Sequence, residues 1–150
     1  MFKRLSTAAA LFSLLAGPVV AESGRDLSAE VARFVRPTPE ARTEAVKALL
    51  DRHELTYTIE AFRHQDSPAE GRNVVVTIGD GPRDLLLTAH YDAERLKDGS
   101  LSHGVVDNAA SAVIVAEAAR RLAAERLNHR LVVIFFDQEE LGLLGAQAWV

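Results

Sequence analysis

Two strongly apolar segments separated by a long alanine-rich stretch constrain this fold more than any other feature of the sequence. The apolar segments cover residues 84–89 and 130–136, and residues 108–127 between them have the composition and length of a helix. A helix that links two apolar strands favours a parallel crossover unit. Two further strands are predicted at 55–62 and 73–78. The sequence therefore predicts a doubly wound α/β fold, in which the strand at 84–89 is buried on both faces.

The clearest helix start in the sequence lies near residue 38. Thr38 followed by Pro39 is typical of a helix N-terminus, with Thr as the capping residue and Pro in the first helical position. The helix is expected to extend to about Glu54. Its core face is predicted near Ala41, Ala45, Ala48, Leu49 and Arg52.

The N-terminal residues have the layout of an export signal. A short basic region is followed by an apolar segment at residues 8–16, and small residues precede a plausible cleavage site after Ala21. The apolar segment is shorter than the ~20 residues that span a bilayer, which favours a cleaved signal over a membrane anchor. We therefore expect a signal peptide at 1–21, a lead-in segment at 22–37 and a periplasmic or extracellular mature protein that is free of the membrane.

Composition limits the chemistry that the chain can support. The 150 residues include no cysteine, and the formal net charge is −4. Without cysteine there are no disulfides, thiolate zinc sites, iron–sulfur clusters or cysteine nucleophiles. The acidic balance gives no basic surface for nucleic acid, so no nucleic-acid partner is expected. Any metal site must therefore consist of histidine and oxygen ligands.

Polar side chains follow the predicted strand at 84–89. His90 and Asp92 are two residues apart on extended backbone, so both side chains point to the same side. A metal-binding histidine usually donates its second ring N–H to a carboxylate, which suits this pair, although Asp92 is also a candidate ligand. A solvent-facing His–Asp pair at a strand end is the alternative interpretation.

Carboxylates occupy two further positions next to predicted elements. Asp107 and Asn108 open the long helix, where either residue could also be an ordinary N-cap. Glu139 and Glu140 follow the strand at 130–136, where adjacent carboxylates repel unless a cation compensates or their surroundings differ. A metal ligand beside a general base is one natural division of roles, and a solvated acidic loop is the alternative.

These groups are expected to meet because ligands of such sheets bind at the carboxyl ends of neighbouring strands. One histidine and several carboxylates form a donor set suited to zinc or another divalent metal. The sequence therefore predicts a metal site at this edge of the sheet.

Three segments of the sequence, in this order, resemble peptidase family twenty-eight, the co-catalytic di-zinc aminopeptidases. They are TAHYD at 88–92, GVVDNAASAVIVAEAARRL at 104–122 and VVIFFDQEELGLLGAQAWV at 132–150. The resemblance covers about residues 40–150 and implies a zinc aminopeptidase-like α/β fold, with a mixed, mainly parallel sheet between helices. It makes the segment 38–150 the N-terminal part of a zinc peptidase domain.

The same resemblance implies a role for five residues. His90 would bind the first zinc ion and would be oriented by the carboxylate of Asp92. Asp107 would bridge both zinc ions, with a cis peptide bond after it. Glu140 would bind the second zinc, and Glu139 would be the general base that takes a proton from the attacking water. The implied reaction is hydrolysis of a peptide bond in a peptide or protein substrate with a free N-terminus.

The resemblance also implies an Asp and a His ligand that follow the Glu–Glu pair in the family and have no counterpart before Val150. With the matched positions alone, each zinc keeps two protein ligands, which is too few for a tight site. We therefore expect the fold to be incomplete and this chain to be inactive by itself.

Alternative functions stay open at this point. Related di-zinc amidohydrolases use a similar residue set, but the short spacing from His90 to Asp107 and the sequence DNAAS at 107–111 argue against them. A glutaminyl cyclase is a less favoured alternative. A non-catalytic or degenerate member could act as a metal-binding or interaction module, although the five intact site residues argue against long-standing degeneration.

Overall fold

Residues 26–150 are described by the structure, a computed structural model of the chain. The predicted signal peptide at 1–21 and the first residues of the lead-in segment lie outside this part. Every helix within it is too short or too polar to traverse a lipid bilayer. The described elements, in order, are α1 Leu27–Ala32, α2 Pro39–Arg52, β1 Tyr57–Phe62, β2 Gly71–Ile78, β3 Asp84–His90, an irregular helical turn at Val105–Ala109, α3 Ala110–Ala123, β4 Arg130–Phe136 and α4 Leu144–Trp149.

The four strands form one mixed sheet in the order β1-β2-β4-β3. β1 pairs antiparallel with β2, and β2 pairs antiparallel with β4. β3 and β4 are parallel, and α3 connects them, which confirms the predicted crossover unit. The α/β class and the mixed sheet between helices are thus confirmed. In the described part, however, antiparallel pairs outnumber the parallel pair, so the sheet there is not mainly parallel.

Helices cover both faces of this sheet. On one face, the core joins Leu49 of α2, Val113 of α3 and Val133 of β4. On the other face, Ile134 of β4 packs with Trp149 of α4. Val133 and Ile134 are adjacent and point to opposite faces, as strand geometry requires, so the apolar run of β4 is buried from both sides.

Local sequence explains where α2 begins, but its buried face differs from the predicted one. The Thr38 side chain accepts a hydrogen bond from the Ala41 N–H at 3.2 Å, and Pro39 takes the first helical position. Ala48 and Arg52 are exposed, so the prediction of the core face was wrong for these two residues. The buried residues of α2 are Arg42, Thr43, Ala45, Val46, Leu49 and Leu50.

β3 lies at the edge of the described sheet and is more exposed than predicted. Leu85 is 53% exposed and Leu86 is 55% exposed. The reason is that β3 pairs with β4 on one side and has no strand on its other side within residues 26–150. The expectation of burial on both faces is therefore wrong for this part of the chain. An apolar sheet edge of this kind is a surface to which further chain can pair.

Candidate metal centre

The parallel pairing of β3 with β4 brings the two polar segments of the sequence together. Their register pairs His90 with Phe136, so both strands end at the same edge of the sheet. The Tyr91 N–H donates to the Phe136 carbonyl oxygen at 3.0 Å and extends the pairing by one residue. Asp92 and the loop at 137–140 therefore leave the sheet side by side.

The carboxylate of Asp92 connects the two strand ends. Its Oδ1 lies 3.2 Å from Nδ1 of His90, and its Oδ2 accepts a hydrogen bond from the Glu140 N–H at 3.0 Å. Asp92 itself is buried. A carboxylate that accepts from the Nδ1–H of an imidazole fixes the ring and leaves Nε2 available to a metal. This geometry suits the orienting role predicted for Asp92 better than a ligand role.

The second ring nitrogen of His90 faces the other predicted ligands. Its Nε2 lies 3.0 Å from Oδ1 of Asp107 and 3.7 Å from Oε2 of Glu139. One ligand atom from each of His90, Asp107 and Glu140 falls within 4.8 Å of the other two. Glu139 lies beside this group without belonging to it. The structure thus brings together all five residues that the sequence singled out, Asp92 included.

The turn before α3 directs Asp107 towards His90. The peptide bond between Asp107 and Asn108 is cis, as the resemblance implied, and both residues have non-helical backbone angles. The helix α3 begins at Ala110, two residues later than predicted, and has no side-chain cap hydrogen bond. The carboxylate of Asp107 contacts His90 instead. The alternative of an ordinary helix cap is therefore wrong for Asp107.

The electrostatics of this cluster favour a bound cation. Burial, followed by the charges of Asp107 and Asp92, raises the pKa of Glu140 above its ordinary value. Burial lowers the pKa of His90, but its hydrogen bond to Asp92 and the nearby carboxylates outweigh that effect, so the net pKa is raised. The carboxylates around His90 and Glu140 contribute to both shifts, and a divalent ion would compensate their negative charge.

The donor set also fits zinc geometrically. Zinc binds imidazole nitrogen and carboxylate oxygen at about 2.0–2.2 Å in tetrahedral geometry, which places neighbouring ligand atoms about 3.3 Å apart. The 3.0 Å separation between His90 Nε2 and Asp107 Oδ1 is close to that spacing. The residues present therefore fit a divalent metal, with His90, Asp107 and Glu140 as the side chains that would hold it.

Asp137 anchors the acidic loop, a role that the sequence analysis did not assign. Its Oδ2 accepts from the Arg72 N–H at 3.0 Å and its Oδ1 from the Gln138 N–H at 2.9 Å. Its own N–H donates to Oδ1 of Asn73 at 3.1 Å. Burial, with a smaller contribution from the charge of Asp92, raises the pKa of Asp137 to about 6. The available signal in the sequence was a charged residue directly after an apolar strand.

A glycine allows α4 to pack closely against this anchor. A Cβ atom at Gly145 would lie 2.3 Å from the Asp137 carbonyl oxygen and 2.5 Å from Oδ1 of Asn73. The Asn73 side chain also donates from Nδ2 to the Gly145 carbonyl oxygen at 2.8 Å. A larger residue at this position would displace the loop that carries Glu139 and Glu140.

Two cavities flank the cluster. One, of about 330 Å³, lies on the side of His90 and Glu139 and extends to Asn108 and Leu143. The other, of about 290 Å³, lies on the side of Asp92 and Glu140 and has a mainly apolar lining. The first cavity therefore borders both the predicted ligand His90 and the predicted base Glu139.

Fold and site together define an α/β chain with a carboxylate-rich cluster suited to a divalent metal. The sequence model described as Peptidase family M28 matches residues 73–150, which is more than half of the chain. This chain belongs to that family. No protein with a curated description matches the sequence.

Solved structures share this fold at low sequence identity. Porphyromonas gingivalis glutaminyl cyclase has a TM-score of 0.68 and 20% identity, over 82% of this chain and 51% of that chain. A Zn-dependent exopeptidase from Parabacteroides distasonis has a TM-score of 0.62 and 20% identity, over 82% and 52%. A leucine aminopeptidase precursor from Bacteroides thetaiotaomicron has a TM-score of 0.64 and 17% identity, over 82% and 53%. The chain thus spans about half the length of the structures that it matches.

Proposed function

We propose that this chain forms the N-terminal part of a zinc-dependent peptidase of the aminopeptidase type. The observation that carries the proposal is the meeting of His90, Asp107 and Glu140 within 4.8 Å, beside Glu139. Membership of Peptidase family M28 and the fold shared with a Zn-dependent exopeptidase support it. The substrates would be peptides or proteins with a free N-terminus.

Each residue of the cluster has a separate task in this proposal. His90 and Glu140 would hold the metal from the ends of two strands, and Asp107 would hold it from the turn before α3. Asp92 keeps the His90 ring and the Glu140 backbone in place. A bound zinc ion supplies a Lewis acid that polarises a peptide carbonyl and acidifies water. Glu139 holds the proton removed from the attacking water and passes it to the leaving amine.

We further propose that two zinc ions bind and that their remaining ligands come from outside the 150 residues. Three protein side chains share the described cluster, whereas two zinc ions with an open position each need about six ligand contacts. The chain alone would then bind zinc but would not turn over peptides. That it spans about half the length of the matched structures agrees with this view.

Cyclisation of an N-terminal glutamine is the second candidate. Glutaminyl cyclases from Porphyromonas gingivalis and Tannerella forsythia share the fold, the latter with a TM-score of 0.64 and 22% identity, over 82% of this chain and 54% of that chain. In both reactions a nucleophile attacks a polarised amide carbonyl, and an amine or ammonia leaves. The nucleophile is water in hydrolysis and the substrate's own amine in cyclisation, so Glu139 could serve as the base in either.

Metal and activity measurements on the purified 150-residue chain test the first proposal. We expect saturable zinc binding, measured by competition with a chromophoric chelator, and no release of product from aminoacyl-nitroanilides or glutaminyl peptides. A chain that fails to bind zinc would contradict the metal role and favour the non-catalytic interaction module. Turnover of the nitroanilides would contradict the proposed inactivity, and ammonia release from glutaminyl peptides would favour the cyclase.

We also propose that the protein is exported, on the basis of residues 1–21. Expression of the full chain in a bacterial host, with N-terminal sequencing of the periplasmic fraction, is the test. The expected N-terminus is Glu22. An uncleaved chain that stays in the cytoplasm would contradict export and leave the metal site unaffected.

A further inference from the structure

A fully buried arginine lies behind the candidate metal centre. Arg42 belongs to the buried face of α2, where most of its neighbours along the helix are apolar. Burying a guanidinium is costly unless its donors are hydrogen-bonded. The donors of Arg42 bind backbone carbonyl oxygens: Nε donates to Tyr91 at 2.7 Å, and Nη1 donates to Phe34 at 2.8 Å and to His103 at 3.3 Å.

Two of these carbonyls belong to the segments that carry the predicted ligands. Tyr91 lies between His90 and Asp92, and His103 lies four residues before Asp107. A planar guanidinium fixes the directions of its donors, so one side chain sets the distance between these two segments. Arg42 thus links the end of β3 to the loop that leads to Asp107.

The loop is shaped to accept this guanidinium. Gly104 has a positive φ of 55°, and a Cβ atom there would lie 2.8 Å from Nη2 of Arg42. Nη2 is itself buried and has no hydrogen-bond partner among the described residues. The charges of Asp92 and Glu140 act on Arg42 in the direction that opposes the lowering of its pKa by burial. Because a guanidinium stays protonated in proteins, Arg42 adds a positive charge whose field reaches both carboxylates.

We propose that Arg42 is a positioning residue, whose guanidinium holds the His90–Asp92 strand end and the loop to Asp107 at the separation that metal binding needs. The inference rests on the proposed function, since it assigns Arg42 a role towards the same metal. A residue that only filled the core would stabilise the fold without affecting zinc affinity in the folded chain.

Zinc affinity of folded variants is the first test. Arg42→Lys keeps the charge but replaces the planar set of donors with a single ammonium group, so we expect at least a tenfold loss of zinc affinity. Val46→Ala, which truncates a buried residue of the same helix, is the control and should lower the urea midpoint without changing zinc affinity. Wild-type affinity in Arg42→Lys, or an equal loss in Val46→Ala, would overturn the proposal.

A glycine pair covers the case in which Arg42→Lys does not fold. Gly104→Ala places a methyl group 2.8 Å from Nη2 of Arg42 and 2.9 Å from the Asp107 carbonyl oxygen, whereas Gly99→Ala, at another positive φ of 86°, meets no atom within 4 Å of the added Cβ. We expect Gly104→Ala to weaken zinc binding at least fivefold more than Gly99→Ala. Equal effects of the two substitutions would overturn the proposal.

A crystal structure of Arg42→Lys, or of Gly104→Ala, separates this inference from the proposed function. We expect His90 Nε2 and Asp107 Oδ1 to move apart from their 3.0 Å separation. An unchanged separation would overturn the positioning role even in a chain that binds no zinc. Failure of the wild-type chain to bind zinc, with the separation lost in the variant, would contradict the proposed function and leave the positioning role standing.

Discussion

The candidate metal centre has an inner side and an outer side that are built very differently. The inner side, formed by Arg42, Tyr91 and Asp92, is buried, and its side chains are hydrogen-bonded to backbone atoms, except at Nη2 of Arg42. The outer side, formed by Asp107 and the edge strand β3, faces solvent in the described part. The Asp107 side chain is 77% exposed.

This difference separates two contributions to metal binding. Groups on the inner side hold ligands in position, so they reduce the cost of organising the site. The outer side supplies a ligand whose surroundings include few protein atoms within residues 26–150. A substitution on the outer side should therefore remove a metal ligand. A substitution on the inner side should leave the ligands in place but hold them less rigidly.

The largest effect is expected from the outer ligand. Asp107→Asn replaces a charged donor with a neutral one, and we expect zinc affinity to fall by about 100-fold. Asp98→Asn removes the same charge from an exposed position on the preceding loop and is the matched control. Competition with a chromophoric chelator measures both. If both variants lost zinc affinity equally, the loss would come from the change in net charge. Asp107 would then not be a metal ligand.

A smaller loss is expected from the inner side. Asp92→Asn keeps the shape of the side chain but cannot accept from both the His90 ring and the Glu140 N–H, so zinc affinity should fall by about 10-fold to 50-fold. The His90 ring signals in NMR spectra of the metal-free chain should broaden or split as the ring loses its fixed orientation. Unchanged affinity with unchanged ring signals would show that the inner side does not organise the ligands.

The pH dependence of the free energy of unfolding tests Asp137, the buried residue that anchors the acidic loop. The pKa of Asp137 is raised to about 6, chiefly by burial, and the unfolded value is about 3.9. Between these pH values the folded chain holds a proton on Asp137 that the unfolded chain has lost. The contribution of this proton to the free energy of unfolding is fully present below about pH 4 and is lost as pH rises to about 6. The free energy of unfolding should fall by up to about 3 kcal/mol over that window.

Asp137→Asn should remove this component of the pH dependence. Urea denaturation of both proteins at pH 4 and pH 7 measures it, with Asp80→Asn, an exposed turn residue, as control. A variant whose stability changes with pH as much as the wild-type chain does would show that Asp137 is not the group responsible.

The smallest effect separates two adjacent glutamates. Glu139 lies outside the ligand group and Glu140 within it. Glu139→Gln should therefore change zinc affinity by no more than about twofold, whereas Glu140→Gln should lower it by about tenfold or more. The same chelator competition compares them. A reversed order would exchange the roles of ligand and base that we assign to these residues.

Much of this architecture was accessible from the sequence because local patterns determine it. The apolar runs that became β3 and β4 and the Thr38–Pro39 start of α2 depend on neighbours along the chain. The five residues of the site were found because each follows a strand or opens a helix, where ligand groups of α/β folds collect.

The missed features depend on distant partners. Arg42 binds the carbonyls of residues 49 and 61 positions away, and a backbone carbonyl has no sequence signature. Asp137 is held by backbone N–H groups, including one 65 positions away. The exposure of Leu86 was missed because burial of a strand depends on which strands lie beside it, and an apolar run alone does not show that.

We expect a metal ion to bind between β3, the turn before α3 and the acidic loop. Crystals of the chain grown with zinc, with anomalous data collected at the zinc edge, test it most directly. We expect an anomalous peak at about 2.0–2.2 Å from His90 Nε2 and from carboxylate oxygens of Asp107 and Glu140. Zinc bound at other histidines, with no peak at this cluster, would contradict it.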